Sequence, residues 1–210
     1  MAAIIDGKQI SRQIKDELKE QVAAYRAQGT EIALAVIQVG NDPASTVYVG
    51  NKKKACEYIG IQSVSYELPE ETTEEELLAI IDKLNHDDSI YGILVQLPVP
   101  KHINENHIIQ AIDPKKDVDG FTLGSAFDPC TPKGIVQYLT HEGFSFKGKN
   151  AVVLGRSEIV GKPMAKMLLE RDCNVVQLHS KTSREDKEFY FAHADLIVSA
   201  VGKMFSWDDT

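Results

Sequence analysis

Short apolar runs alternate with helical segments along nearly the whole chain, and this alternation leaves few folds open. Residues 32–39, 61–68 and 91–96, then 151–154, 174–178 and 195–200, are brief, rich in Val, Ile and Leu, and bounded by turn residues, as strands are. Between them lie stretches with helical spacing. Residues 7–28 carry Ile10, Ile14, Leu18, Val22 and Tyr25 at steps of three or four and stop at Gly29. A second helix opens at Pro43 and ends near Gly60. A third, over 73–84, has Thr72 or Thr73 as its cap and Glu75 or Glu76 to complete a capping box. Residues 106–112, 131–139, 160–169 and 183–192 supply the remaining helices. Strand, helix, strand in repeated order predicts an α/β protein with parallel sheets and right-handed crossovers. The pattern restarts after about residue 120, which predicts a first parallel-sheet α/β domain over 1–120 and a second over 121–210. The second reads β-α-β-α-β, which is half of a Rossmann-type, doubly wound dinucleotide-binding fold.

A hydrophobic fraction of 43% permits packed cores, and a net charge of −8 argues against general binding to nucleic acid or anionic membranes. No apolar run approaches the ~20 residues of a membrane span. Met-Ala-Ala-Ile-Ile-Asp-Gly lacks a basic region followed by a long apolar one, so no signal peptide is expected. Cys56, Cys130 and Cys173 are odd in number and lack metal spacing, which fits reduced thiols in a cytoplasmic protein. His102, His107, His141 and His193 make no metal-ligand pattern.

Chemistry is concentrated at the carboxyl ends of the expected strands. After the strand 32–39, a helix places Tyr48 and Lys52 one turn apart on a shared face. A lysine beside a phenol, with its pKa lowered by burial and a polar neighbour, is suited to moving protons near neutrality. The competing reading is a solvated basic face, since Lys52, Lys53 and Lys54 are consecutive. Gln96 ends a buried strand before a double-proline turn, where an amide can bond a lysine, a ligand ring or loop backbone. Asp117 and Asp119 flank a valine ahead of Gly120, a pattern open to metal binding, capping or recognition of a donor-rich heterocycle. Gly155-Arg156-Ser157, between a strand and a helix ending its turn at Gly161, lies where a pyrophosphate meets helix N–H groups. It departs from the usual Gly-x-Gly-x-x-Gly, but the Arg156 guanidinium can grip phosphate with two hydrogen bonds. The next strand ends in His179-Ser180-Lys181-Thr182 where an NAD-selecting fold carries an acid, and this favours NADP.

Taken together and in order, Ser45-x-x-Tyr48-x-x-x-Lys52-x-x-x-Cys56, Gly92 to Pro100, Lys116 to Phe121, Pro129 to Gly134, Gly155-Arg-Ser-x-x-Val-Gly-x-Pro163 and His179 to Thr182 resemble the bifunctional methylenetetrahydrofolate dehydrogenase/methenyltetrahydrofolate cyclohydrolase family. The resemblance runs to about Gly202. It implies a catalytic Lys52, tuned by Gln96, with Tyr48 packing on the aminobenzoyl ring and Asp119 holding the pterin. It also implies a cofactor turn of Gly155, Arg156 and Ser157, with Ser180 near the NADP 2′-phosphate. The implied chemistry is NADP-dependent oxidation of 5,10-methylenetetrahydrofolate followed by hydrolysis of the methenyl product to 10-formyltetrahydrofolate. The implied partners are tetrahydrofolate derivatives and a second copy of the chain.

The resemblance fades at Met204, which replaces a proline of the family pattern, and Phe205 to Thr210 match little of the continuation expected there. A C-terminal truncation predicts weakened cofactor binding and low stability, with cyclohydrolase activity surviving better than dehydrogenase activity. The alternative it leaves open is a homologue that binds folate or a partner subunit without full catalysis. A generic short-chain dehydrogenase is disfavoured by order, because its Tyr-x-x-x-Lys pair follows the glycine turn, whereas Tyr48 and Lys52 precede Gly155.

Overall fold

A computed structural model describes residues 6–201, so Met1–Ile5, expected to carry no leader, and the divergent Met204–Thr210 lie outside the described residues. The chain divides between Phe127 and Asp128 into two compact units.

The first unit comprises α1 (Gly7–Ala27), β1 (Ala33–Val39), α2 (Pro43–Ile59), β2 (Gln62–Leu68), α3 (Glu74–Asn85), β3 (Ile90–Val95) and α4 (Glu105–Ala111). Its strands are parallel, in the order β2-β1-β3. The central strand β1 is covered on both faces, which is why its sequence is apolar at every position but Gln38 rather than alternating. Ala33, Ala35, Ile37 and Val39 face a core with Leu77, Ile81 and Leu84 of α3 and Ile108 of α4. Val36 faces the other way, against Val49 of α2 and Leu94 of β3, with Leu34 and Val118 packed beside them. Helix ends follow local chemistry. The Asp42 carboxylate accepts the Ser45 N–H at 2.8 Å, Pro43 occupies the first turn, and Gly60 closes α2 at φ 89°. Of the two possible caps of α3, Thr73 serves. Its hydroxyl accepts the Glu76 N–H at 3.2 Å while Glu76 accepts the Thr73 N–H at 2.9 Å.

The second unit comprises α5 (Cys130–His141), β4 (Asn150–Leu154), α6 (Gly161–Leu169), β5 (Asn174–Leu178), α7 (Arg184–Ala192) and β6 (Leu196–Ser199). These strands are also parallel, in the order β5-β4-β6. One face of the sheet packs Val153 with Met164, Met167 and Leu168 of α6 and Val136 of α5. The other packs Val152, Leu154 and Leu178 with Tyr190 and Phe191 of α7. In each unit the first strand is central and the chain leaves it towards opposite edges, so each has a crevice between the carboxyl ends of its first and third strands. That switch point is where open α/β sheets bind ligands.

Candidate active site and cofactor turn

The crevice of the first unit is built from the ends of β1 and β3 and from α2. Gln96 prolongs β3 by one residue, its N–H donating to Ile37 O at 2.8 Å. Its side-chain Nε2 donates to Leu97 O at 2.8 Å, which leaves Oε1 to accept from Lys52 Nζ at 3.0 Å. Two residues singled out by sequence, 44 positions apart, are thus in direct contact. Tyr48 stands one turn before Lys52 on α2 and is 62% exposed, with its ring open to a flat ligand. The consecutive lysines part company. Lys52 is half-buried on Gln96, and Lys53 pairs with Glu67 at 2.6 Å, its hydrogen bond holding that carboxyl below its usual range. The solvated-face reading fits Lys54, which is exposed.

The loop after α4 is pinned to β3. Ile93 N–H donates to Lys116 O at 2.7 Å, forming a parallel bridge between Ile93 and Asp117. The Lys116 ammonium donates to Leu84 O and Asp87 O at 2.9 and 2.7 Å. Asp117 is 1% exposed, and its carboxylate accepts N–H groups from Asp119, Gly120 and Thr122 as well as the Thr122 hydroxyl. Val118 packs over Gly92, where an added Cβ would lie 2.6 Å from Val118 Cγ1. Asp119 follows, half-buried. Among the described residues no cluster of three or more His, Cys, Asp or Glu is arranged for a metal, and the Asp117 carboxylate is engaged by the loop's own donors. Residue type alone left the two aspartates alike, and the resemblance gave a role to Asp119 only. The one signal that separates them is the threonine five residues after Asp117, a spacing that lets one carboxylate close the loop on itself.

In the second unit, β4 ends at Leu154 and the chain turns at Gly155 with φ 112°. A side chain is excluded there, since a Cβ on Gly155 would lie 2.4 Å from Ala200 O at the end of β6. Gly161 is equally confined, with its virtual Cβ 2.5 Å from Gly155 O. Ser157 Oγ accepts the N–H groups of Val160 and Gly161 at 3.3 and 3.2 Å, so this serine steadies the turn that leads into α6, whose N-cap position is Val160. Arg156 is exposed beside it. The adjacent strand ends close by. Gly155 N–H donates to Leu178 O at 2.8 Å and Gln177 Nε2 donates to Gly155 O at 3.0 Å. The following turn is folded by His179 N–H on Thr182 Oγ1 at 3.0 Å and leaves Ser180 and Lys181 exposed. Gly155, Arg156, Ser157 and Ser180 therefore follow the carboxyl ends of the neighbouring strands β4 and β5. A glycine cradle closed to any Cβ, at a helix N-terminus, is the shape a pyrophosphate needs, so the residues present fit a dinucleotide. Gly161 closes the turn as its place in the sequence motif suggests, but its closeness to Gly155 is a tertiary fact.

Comparison with known proteins covers both units. Residues 5–119 match the catalytic domain, and residues 129–206 the NAD(P)-binding domain, of tetrahydrofolate dehydrogenase/cyclohydrolase. The bifunctional protein FolD of Lachnoclostridium phytofermentans is 58% identical over 97% of this chain and 74% of its own length. The crystal structure of the Campylobacter jejuni bifunctional enzyme FolD superposes with a TM-score of 0.90 at 48% identity, over 94% of this chain and 73% of that one. The Trypanosoma brucei methylenetetrahydrofolate dehydrogenase-cyclohydrolase, crystallised with NADP and an inhibitor, gives 0.90 at 34% identity, over 96% and 72%. With matches covering both units at these identities, the chain belongs to the tetrahydrofolate dehydrogenase/cyclohydrolase family.

Proposed function

We propose that this chain oxidises 5,10-methylenetetrahydrofolate with NADP and hydrolyses the methenyl product to 10-formyltetrahydrofolate. Residues 1–120 carry the folate chemistry and residues 121–210 hold the cofactor. The observation that carries the reading is the 3.0 Å bond from Lys52 Nζ to Gln96 Oε1 at the crevice of the first sheet. A neutral amide orients the amine without adding a counter-charge. In hydrolysis, Lys52 takes a proton from the water that adds to the bridge carbon. The second proton of that water ends on the ring nitrogen as the carbon–nitrogen bond opens. Tyr48 stacks on the aminobenzoyl ring, and Asp119 accepts hydrogen bonds from the pterin. Bound NADP supplies the hydride acceptor for the oxidation. Gly155 and Ser157 shape the turn for its pyrophosphate, Arg156 pairs with phosphate, and Ser180 meets the 2′-phosphate.

A cytoplasmic homodimer acting on small molecules accords with the family. Among the described residues no helix is long and apolar enough to cross a membrane, and the net charge of −8 disfavours nucleic acid.

The test is the absorbance of 5,10-methenyltetrahydrofolate with the purified chain. Wild type consumes the chromophore, and Lys52→Met falls at least ~100-fold towards background, the scale of a lost general base. Arg156→Ala leaves that activity in place and weakens NADP binding by about tenfold, as loss of a charged hydrogen bond does. Consumption that persists in Lys52→Met removes the lysine from its assigned role.

A further inference from the structure

We propose that Asp117 is a positioning residue for folate recognition, setting the backbone that presents Asp119. The inference rests on the reading of Asp119 as the pterin-binding carboxylate. Asp117 lies at 1% exposure in a loop, a costly place for a carboxylate unless its oxygens are fully engaged. They are. Oδ1 accepts the N–H groups of Asp119 and Gly120 at 3.2 and 3.0 Å, and Oδ2 accepts the Thr122 N–H at 2.7 Å and its hydroxyl at 2.9 Å. One side chain thereby fixes the amides of Asp119 and Gly120 and the turn that follows.

The backbone of the same residue is tied as well, its N–H donating to Asp113 O at 3.0 Å. The Asp117 carbonyl accepts the Ser125 hydroxyl at 3.2 Å, and the residue bridges to Ile93 of β3. Its neighbour Val118 fills the space over Gly92 and packs with Leu34, Val36, Leu94 and Val49, the last being the residue after Tyr48 on α2. Asp119 is therefore carried on a loop referenced to the strand that ends in Gln96 and to the helix that bears Lys52. An asparagine at 117 keeps the shape but loses one acceptor. Its amide nitrogen would face the Thr122 donors or those of Asp119 and Gly120, donor against donor.

The test compares wild type, Asp117→Asn and Thr122→Val. The readouts are tetrahydrofolate binding by calorimetry, steady-state consumption of 5,10-methenyltetrahydrofolate, NADP binding, and hydrogen exchange of the amides of Asp119, Gly120 and Thr122. Asp117→Asn is expected to raise the tetrahydrofolate Kd and the KM by about tenfold or more, the scale of a hydrogen bond to a charged group. It should leave kcat within about twofold and NADP binding unchanged, with protection lost at those amides. Thr122→Val removes the hydroxyl donor alone and is expected to move Kd by about threefold in the same direction. A folded Asp117→Asn protein that binds tetrahydrofolate like wild type overturns the assignment, as does a fall in kcat at unchanged Kd. If Asp117→Asn does not fold, Thr122→Val decides, and an unchanged Kd there overturns it. Wild type that binds no tetrahydrofolate overturns the folate reading and this role with it. Wild-type binding that both variants match overturns the role alone.

Discussion

A thiol's reactivity follows its exposure, and the chain's three cysteines differ in it. Cys56 on α2 and Cys173 before β5 are buried, and burial pushes both thiols up, away from the reactive thiolate. Cys130, at the start of α5, is exposed. A thiol reagent at neutral pH is expected to label Cys130 rapidly and the other two only on unfolding. Fast labelling of three thiols in native protein would contradict the packing of α2 and β5. The lysines make a related point at the same scale. Lys52, Lys53 and Lys54 are chemically identical in sequence, and their separate fates depend on what faces each one across the fold. Tyr48, Lys52 and Gln96 were legible because residue type and strand-end position coincide. Asp117 was not, because the signal that marks it as the inward aspartate, Thr122 five residues on, is weak without the folded loop.

At the scale of elements, the turn after β4 tolerates no side chain at either glycine. Alanine at Gly155 meets both a left-handed backbone, φ 112°, and Ala200 O at 2.4 Å. Gly155→Ala is therefore expected to destabilise the second unit by about 2 kcal/mol and to weaken NADP binding, while cyclohydrolase activity is retained. Calorimetric melting with and without NADP checks this, and an unchanged melt would show that the turn relaxes. Element existence was legible throughout, because apolar runs bounded by turn residues mark the strands and three-to-four spacing marks the helices. Bounds shifted by a residue or two where caps compete, as at Thr72 and Thr73. The hydroxyl of Ser157 went unread as the acceptor of the Val160 and Gly161 amides, since a serine in a phosphate-type turn serves either purpose.

Across the whole molecule, hydrogen-bonded carboxylates set the response to acid. Backbone N–H donors hold Asp42, Glu74 and Asp195 below the ordinary carboxyl range. The Ser89 hydroxyl does the same for Asp87, and Lys53 for Glu67. A carboxyl depressed in the folded state stabilises above its unfolded pKa, about 4, and loses that contribution as pH falls through the folded value. Stability is expected to be flat near neutrality and to fall below about pH 4. Asp195 receives the Asn150 N–H at 2.9 Å and Lys149 Nζ at 3.0 Å at the start of β4. Asp195→Asn should soften the acid limb of the second unit, and an identical pH–Tm curve would discount that contribution. The restart of the pattern suggested a second α/β unit from about residue 121, and the chain divides between Phe127 and Asp128. The common strand order of the two units was not legible, because topology is set by crossover handedness and apolar placement rather than by repeated side chains.

That common order raises a problem of address. A dinucleotide seeks amide groups at the first helix beyond a central strand, and this chain offers two such helices. In one, the amides meet the neutral oxygen of Ser157, and an incoming phosphate finds no like charge from the cap. In the other, Asp42 already spends a full negative charge on the Ser45 amide, so a phosphate arrives where an internal anion has taken its place. Carboxylate on the amides of one helix entry and hydroxyl on those of the other is a difference that favours a phosphate at the second.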